Sequence, residues 1–333
     1  MVVAKGLDEF GLIRKFFAPL SGEGSLDLKD DVARLGSELI VSKDILVSGV
    51  HFFADDPPDL IARKALRVNI SDVVAKGAVP IHYMLGCVFP NTTDEKWVAS
   101  FADGLRQDQA EFQLSLLGGD TTKAPGNSPM VVSVTVFGKP FRRSNIVHRY
   151  GACAGDNIFV SGSIGDAGLG LAIRAGQMTD RGKHAAFLEE RYLLPRPRLA
   201  LAEPIAKYAS ASLDISDGLL ADAGHLARAS GTDLMIVSTD LPLSEAARLW
   251  VDEQTDTSQA LTRLATCGDD YEVLCAVNPQ NTDMFVASAD DAGIAITQIG
   301  RCAASGEGAV QFVSSEGREI EAQQAGYNHF RSG

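Results

Sequence analysis

The sequence predicts an α/β fold (α+β with mixed sheets) in two domains, on three observations. Short apolar runs rich in β-branched residues alternate with stretches of helical periodicity, twice over. The alternation restarts near Gly151. The length, 333 residues, suits about two domains of roughly 150 residues each. We therefore divide the chain into 1–150 and 151–333.

The stretch that organises the first half is Arg67-Val-Asn-Ile-Ser-Asp-Val-Val-Ala-Lys-Gly-Ala-Val-Pro80. It is mostly apolar, yet Asn69, Asp72 and Lys76 recur at spacings that put them on one helix face. Pro57 and Pro58 lie near its start, and Gly77 and Pro80 mark its stop. Asp72 thus belongs to a rigid, largely buried element. A buried carboxylate is costly unless it is paired or bound to a metal, so Asp72 is either bonded to backbone or Lys76, or a metal ligand.

The other elements follow in order. Residues 7–20 carry apolar side chains at helical spacing and predict a first helix. Asp27, Asp30 and Asp31 form an acidic cluster beyond it, a pattern that also fits a solvated loop. Residues 39–41 and 45–47 read as strand with Asp44 between them, and His51 follows. Residues 81–89 predict a strand, 97–112 a helix, and 114–117 a short strand ending in Gly118-Gly119-Asp120-Thr121-Thr122. Glycines there let backbone approach a ligand closely. Residues 130–137 are β-rich, and Lys139, Arg142, Arg143 and Arg149 supply the densest positive charge.

In the second half, residues 157–160 predict a strand and 161–168 a Gly-rich turn into a helix. Such a turn can seat phosphate on free N–H groups, although most are only turns. Residues 177–197 suggest a short helix plus loop, and 199–208 a helix. A strand end then delivers Asp214, Ser216 and Asp217 into a turn, with a helix running to 229. Asp217 also fits an N-cap; Asp214 does not. Residues 234–237 and 294–299 predict strands, and Cys267-Gly-Asp-Asp-Tyr-Glu-Val-Leu274 again sets glycine and acids beside an apolar run.

Composition narrows the function classes. Hydrophobic residues make up 45% and charged residues 22% of the chain, ordinary for a soluble globular protein. The net charge is −13 and no basic run is present, which argues against nucleic acid. No apolar run approaches the ~18 residues of a membrane span. Five scattered cysteines without a C-x-x-C pair read as reduced thiols in a cytoplasmic protein, and the N-terminus has no signal pattern.

Asp30, Asp44, Asp72, Asp120, Asp214 and Asp217 share a context, most at strand ends or on an apolar helix beside Gly or Ser. Two carboxylates ~4 Å apart repel by roughly 4 kcal/mol at an effective dielectric of about 20, so six cannot gather without cations. Oxygen ligands with no His or Cys among them select Mg²⁺ over zinc. Mg²⁺ held this way retains waters and bridges substrate phosphates, and the chemistry that needs it is phosphoryl transfer. The usual ATP signatures are absent: no G-x-x-x-x-G-K-[ST], no G-x-G-x-x-G, no kinase H-R-D or D-F-G set.

Eight segments together carry a resemblance: Asp30-Asp-Val-Ala33, Asp44-Ile-Leu-Val-Ser-Gly-Val-His-Phe52, Asn69-Ile-Ser-Asp-Val-Val-Ala-Lys-Gly-Ala-Val-Pro80, Gly118-Gly-Asp-Thr-Thr122, Gly155-Asp-Asn-Ile-Phe-Val-Ser-Gly162, Asp214-Ile-Ser-Asp-Gly-Leu219, Gly268-Asp-Asp-Tyr-Glu272 and Gly326-Tyr-Asn-His-Phe330. In this order the chain resembles the thiamine-monophosphate kinase family of the aminoimidazole-ribonucleotide synthetase superfamily. The resemblance implies that family's two-domain fold, ATP-dependent phosphorylation of thiamine monophosphate to thiamine diphosphate, several Mg²⁺ ions, and a homodimer paired through N-terminal β-strands with ATP near the interface. Asp30, Ser42, Asp44, Asp72, Asp120, Asp214 and Asp217 match Mg²⁺ positions. Gly119, Asp120, Arg149 and Ser216 match nucleotide contacts, and His51, Asp269 and Tyr327 match thiamine-monophosphate contacts.

The chain departs from the family pattern at four points. Lys43 stands where the family has Thr, Asp269 where it has Glu, and Tyr327 where it has Trp. The Ala-Met-Gly-Ala run reads Ala75-Lys-Gly-Ala78. A tyrosine ring still offers a face to the thiazolium cation. The rivals within the superfamily are a selenophosphate synthetase and a hydrogenase-maturation protein; against the former, the N-terminus lacks a reactive Cys or Gly-rich segment. A binding protein without catalysis is the rival outside it.

Overall fold

The computed structural model describes residues 9–142, 145–178, 184–303, 306–322 and 326. The predicted first helix is helical in three short pieces: α1 (Glu9–Leu12), a π turn (Ile13–Phe17) and a 3-10 turn (Ala18–Leu20). None of these residues is buried, and the Phe10 ring against His225, 4.5 Å between centroids, is too little packing to impose one regular geometry.

The first sheet is built from β1 (Ala33–Leu35), β2 (Leu39–Val47), β3 (Ala78–Phe89), β4 (Ser115–Lys123) and β5 (Val131–Pro140). Its order is β1-β2-β5-β3-β4, antiparallel except for the parallel pair β3–β4. The two runs read separately at 39–41 and 45–47 are the single strand β2, with Asp44 inside it. The Gly118–Thr122 run, read as lying past a strand end, lies within β4. The ladder to β3 continues through it, pairing Gly119 with Leu85 and Asp120 with Gly86.

Between β2 and β3 runs α2 (Pro58–Ala75). Pro58 sits in the first turn, where its missing N–H costs nothing. Gly77 takes φ +71°, and a Cβ there would sit 2.8 Å from the Cβ of Ala206. The helix therefore stops where the sequence says it should. Thirteen of its 18 residues are buried, more than one amphipathic stripe requires. The reason is its place: one side packs on β2, β5 and β3, and the other meets the second half of the chain. Next to it lies α3 (Glu95–Phe112), capped by Asp94, which accepts from the Trp97 N–H at 2.8 Å. Arg67 joins the two helices through a two-pronged bond to Asp108 at 2.7 and 2.8 Å.

The second half contains β6 (Asn157–Ser161), α4 (Asp166–Arg174), α5 (Ala185–Leu193), α6 (Ala202–Tyr208), β7 (Ala209–Asp214), α7 (Leu219–Ser230), β8 (Leu234–Val237), α8 (Glu245–Asp252), α9 (Thr257–Thr266), β9 (Val273–Val277), α10 (Thr282–Asp291), β10 (Ile296–Cys302) and β11 (Val310–Val313). Its sheet has the order β11-β8-β10-β6-β9-β7, antiparallel except for β11–β8. Strand β7 lies at the edge that faces α2. The fold thus brings the C-terminal end of α2, the middle of β2 and the end of β7 to one place. No helix among the described residues is long and apolar enough to cross a membrane.

Candidate functional site

Three carboxylates meet at that place. Asp44 projects from β2, its N–H held by the Asn69 side chain at 2.9 Å. Asp72 lies one helical turn beyond Asn69 on α2, and its carboxylate accepts from the Ser42 hydroxyl. Asp214 ends β7. Burial first, then the charges of Asp214 and Asp44, push the Asp72 carboxyl well above its ordinary value. Burial, with the charge of Asp31 next, lifts Asp214 to about 7. Burial lifts Asp44 to about 6, against a lowering hydrogen bond from Asp72. No lysine or arginine forms an ion pair with any of the three among the described residues. The three acids repel one another because the fold supplies no cation in contact with them. The donor set is all oxygen, with Ser42 beside it, the donor chemistry that Mg²⁺ takes.

Asp30 and Asp31 lie next to this group but are neutralised. Lys76, fully buried, reaches Asp30 Oδ1 at 2.8 Å and also touches Asp31. His148 Nδ1 lies 2.7 Å from Asp30 Oδ2, and the Arg149 guanidinium pairs with Asp31. Burial raises both carboxyls, but for Asp30 the charges of Lys76 and His148, and for Asp31 those of Arg149 and Lys76, outweigh it and hold them low. Lys76 does not pair with Asp72, the partner its spacing suggested.

A cleft of about 530 Å³ opens beside the three carboxylates. It is lined from the first half by Asp44, Val68 and His51, and from the second by Ser216, Asp217, Asp269, Tyr271 and Gly326, among others. His51 is oriented by the Val47 N–H, which donates to its Nδ1 at 3.0 Å. Asp269 pairs at 2.8 Å with Lys64, whose ammonium lies 3.8 Å from the centre of the Tyr192 ring. Asp269 and Tyr271 both take positive φ, +70° and +50°. The loop is held in this costly form because the Asp269 and Tyr271 N–H groups donate to the Ser216 and Ile215 carbonyls. The Asp214 and Asp269 segments are therefore locked together.

The remaining expected residues divide. Ser216 and Asp217 stand in the turn before α7. Asp217 does not cap that helix; the Asp222 carboxylate does the holding, accepting from the N–H groups of Ser216, Asp217 and Gly218 at 3.0, 3.0 and 3.2 Å. Asp120 is not with the cluster. It shares a row with Gly86, Ser133 and Ile45, three strands and about 14 Å from β2, on the sheet face opposite Asp44. Gly119 sits beside it, where a Cβ would fall 1.7 Å from the Leu85 carbonyl oxygen. Lys43 points to that same open face and bonds Ser133. Tyr327 and Arg143 lie outside the described residues. The Gly-rich turn at 161–168 is not an open cradle, because Asp270 accepts from its Gly165 and Ala167 N–H groups at 2.7 and 3.3 Å. Glu272 is tied to Arg191, Arg198 and Ser161 and serves the fold.

Sequence reasoning overlooked Lys64, Asp222 and His225. Asp217, Asp222 and His225 each place a ligand atom within 4.8 Å of the others. Burial, then the charges of Arg149 and Arg228, lowers His225 to about 4. The signal was there in the spacing, since Asp222 and His225 stand three residues apart on one face of α7.

Comparisons with known proteins agree over nearly the whole chain. The family described as AIR synthase related protein matches with its N-terminal domain over residues 29–139 and its C-terminal domain over 154–313. The thiamine-monophosphate kinase of Caulobacter vibrioides is 41% identical over 327 residues, 96% of this chain and 90% of its own. That of Escherichia coli is 34% identical over 332 residues, 97% and 98% of the two chains. Among solved structures, AaThiL complexed with AMPPCP and TMP superposes with a TM-score of 0.85 at 30% identity, over 99% of each chain. The thiamine-monophosphate kinase of Stenotrophomonas maltophilia gives a TM-score of 0.76 at 32% identity, over 86% of this chain and 88% of that one.

Proposed function

This chain belongs to the thiamine-monophosphate kinase family, and we propose on that premise that it transfers the γ-phosphoryl group of ATP to the phosphate of thiamine monophosphate, releasing ADP and thiamine diphosphate. The observation that carries the reading at the level of residues is the meeting of Asp44, Asp72 and Asp214, uncompensated by any contacting cation, beside a cleft that also holds His51, Ser216, Asp217 and Asp269.

The acceptor oxygen is already anionic, so no strong general base is needed. The barrier is the repulsion of two polyanions. A bound Mg²⁺ would supply neutralisation of phosphate charge. Asp44, Asp72 and Asp214 would hold it, with Ser42 and Asp217 at its margins. The chain's own groups do the rest: His51 and Asp269 border the space for thiamine monophosphate, and Ser216 and Arg149 meet the nucleotide. The Arg149 Nε is buried without a hydrogen-bond partner among the described residues, which suits a group kept for a phosphate oxygen.

The same reading assigns a homodimer, with the domain division near Gly151 and a cytoplasmic location. The support for the homodimer is the uncovered face of the first sheet, where Ile45 and Met84 are large apolar side chains left exposed. Gly119 and Asp120 lie at that face's edge strand and would reach nucleotide at the interface.

A coupled ADP-release assay with Mg²⁺ tests the function. ADP should form with thiamine monophosphate and not with selenide. No ADP above background with thiamine monophosphate would end the kinase reading.

A further inference from the structure

Lys76 is a fully buried lysine inside a group of acids that the proposed chemistry would fill with divalent ions. Its ammonium lies 2.8 Å from Asp30 Oδ1, forms an ion pair with Asp31, and donates to the Ser212 carbonyl at 2.5 Å. Asp30 is correspondingly full. Its Oδ1 also accepts from the Asp31 and Arg149 N–H groups at 3.1 and 3.3 Å, and its Oδ2 faces His148 Nδ1 at 2.7 Å. Asp31 is shared between Lys76 and Arg149. Two carboxylates thus face two fixed cations, and the side chains of Asp30 and Asp31 are only 1% and 5% exposed.

Asp44, Asp72 and Asp214 are in the opposite condition, three acids with no contacting cation among the described residues. The acidic centre is therefore two compartments, one already neutral and one that needs added charge. Mg²⁺ binds carboxylate oxygen at about 2.0–2.1 Å in near-octahedral geometry and holds several waters. At Asp30 it would have to expel an ammonium that has no exposed surface to retreat to, and then sit beside its positive charge.

From this geometry, and resting on the kinase reading above, we infer that the Lys76 ammonium is a built-in substitute for one divalent ion: Asp30 and Asp31 take no metal, and metal binding is confined to the Asp44–Asp72–Asp214 side. Lys76 is then a positioning residue. It ties the loop at residues 30 and 31, the end of α2 and strand β7 into one unit, and so fixes where Asp72 and Asp214 stand.

The test uses the full-length protein with Mn²⁺ and AMPPCP. Anomalous scattering from a crystal should show Mn²⁺ on Asp44, Asp72 or Asp214 and none in coordination distance of an Asp30 or Asp31 oxygen. Mn²⁺ on Asp30 would overturn the inference and leave the kinase reading standing; Mn²⁺ nowhere in the cluster would overturn both. In solution, paramagnetic resonance titration should find one more Mn²⁺ per chain in Lys76→Met, which keeps an unbranched stem and removes the charge. An equal count in the folded variant and the parent chain counts against the inference. If the variant does not fold, the anomalous map of the parent protein decides alone.

Discussion

Asp72 receives a hydrogen bond from Ser42 and repulsion from Asp44 and Asp214. Asp72→Asn keeps the shape and removes the charge, so it should separate function from folding. Turnover should fall by about two to three orders of magnitude, the several kcal/mol that a misplaced metal clamp costs, while the melting temperature of the metal-free protein holds or rises. Near-normal turnover in this variant would remove the metal site from the mechanism. The pH dependence follows from the same acids. Asp44 is raised to about 6 and Asp214 to about 7, so between their ordinary value of 3.8 and about 7 the folded chain binds more protons than the unfolded one. Stability contributed by these groups is present at low pH and lost as pH rises through that window. Asp30 and Asp31, held low, act in the opposite sense, losing their contribution only as pH falls below the ordinary carboxylate range. Melting curves in chelator should therefore drop between about pH 4 and about pH 7, and Mg²⁺ should narrow the drop by stabilising the charged forms. A profile that ignores both pH and Mg²⁺ would contradict the burial of these carboxyls.

At the scale of elements, α2 carries the design. It presents Asn69 and Asp72 to β2, Arg67 and Lys64 to neighbouring segments, and Lys76 to the loop at residue 30. Its position depends on close contact with α3, where a Cβ on Gly104 would lie 2.2 Å from the Asp59 carbonyl oxygen. Gly104→Ala should gain up to about 1 kcal/mol in helix propensity yet lose about 1–3 kcal/mol to overpacking. We expect net destabilisation in urea unfolding, and a more stable variant would show the helices to be looser than described. This helix was legible because two prolines, a glycine and a 3.6-residue repeat mark it without help from the rest of the chain. Strand β4 was only half legible: Gly118 and Gly119 have no intrinsic preference for strand, and it is the β3 ladder that extends them. Strand β11 went unread because its four residues gain order only by parallel pairing with β8, across a long stretch of chain. Helices α8, α9 and α10 are short amphipathic stretches of 8, 10 and 10 residues with no glycine-and-acid motif to mark them.

At the scale of the molecule, the first sheet has one face covered by α2 and the other open, with Met84 44% exposed in the middle of it. Ile45 and Met84 are exposed apolar side chains on this face, beside the polar Lys43 and Ser133, and they are where the proposed homodimer would pair. If the proposed homodimer pairs through this face, Met84→Glu should shift it from dimer to monomer in sedimentation analysis, because it would place a charge inside the contact. A parent chain that already sediments as a monomer would refute the dimer. The sequence by itself determined the helix that carries Asp72, and the family through short segments in fixed order. It did so because helix boundaries and local motifs are properties of neighbouring residues. Only the tertiary structure decided which acids share one electrostatic field. Lys76 stands four residues from Asp72 yet spends its charge on Asp30 and Asp31, and Asp120 sits across the sheet from the acids it resembles. Charge interactions depend on distance in space, and distance between residues far apart in the chain is fixed only once the sheets and α2 have packed.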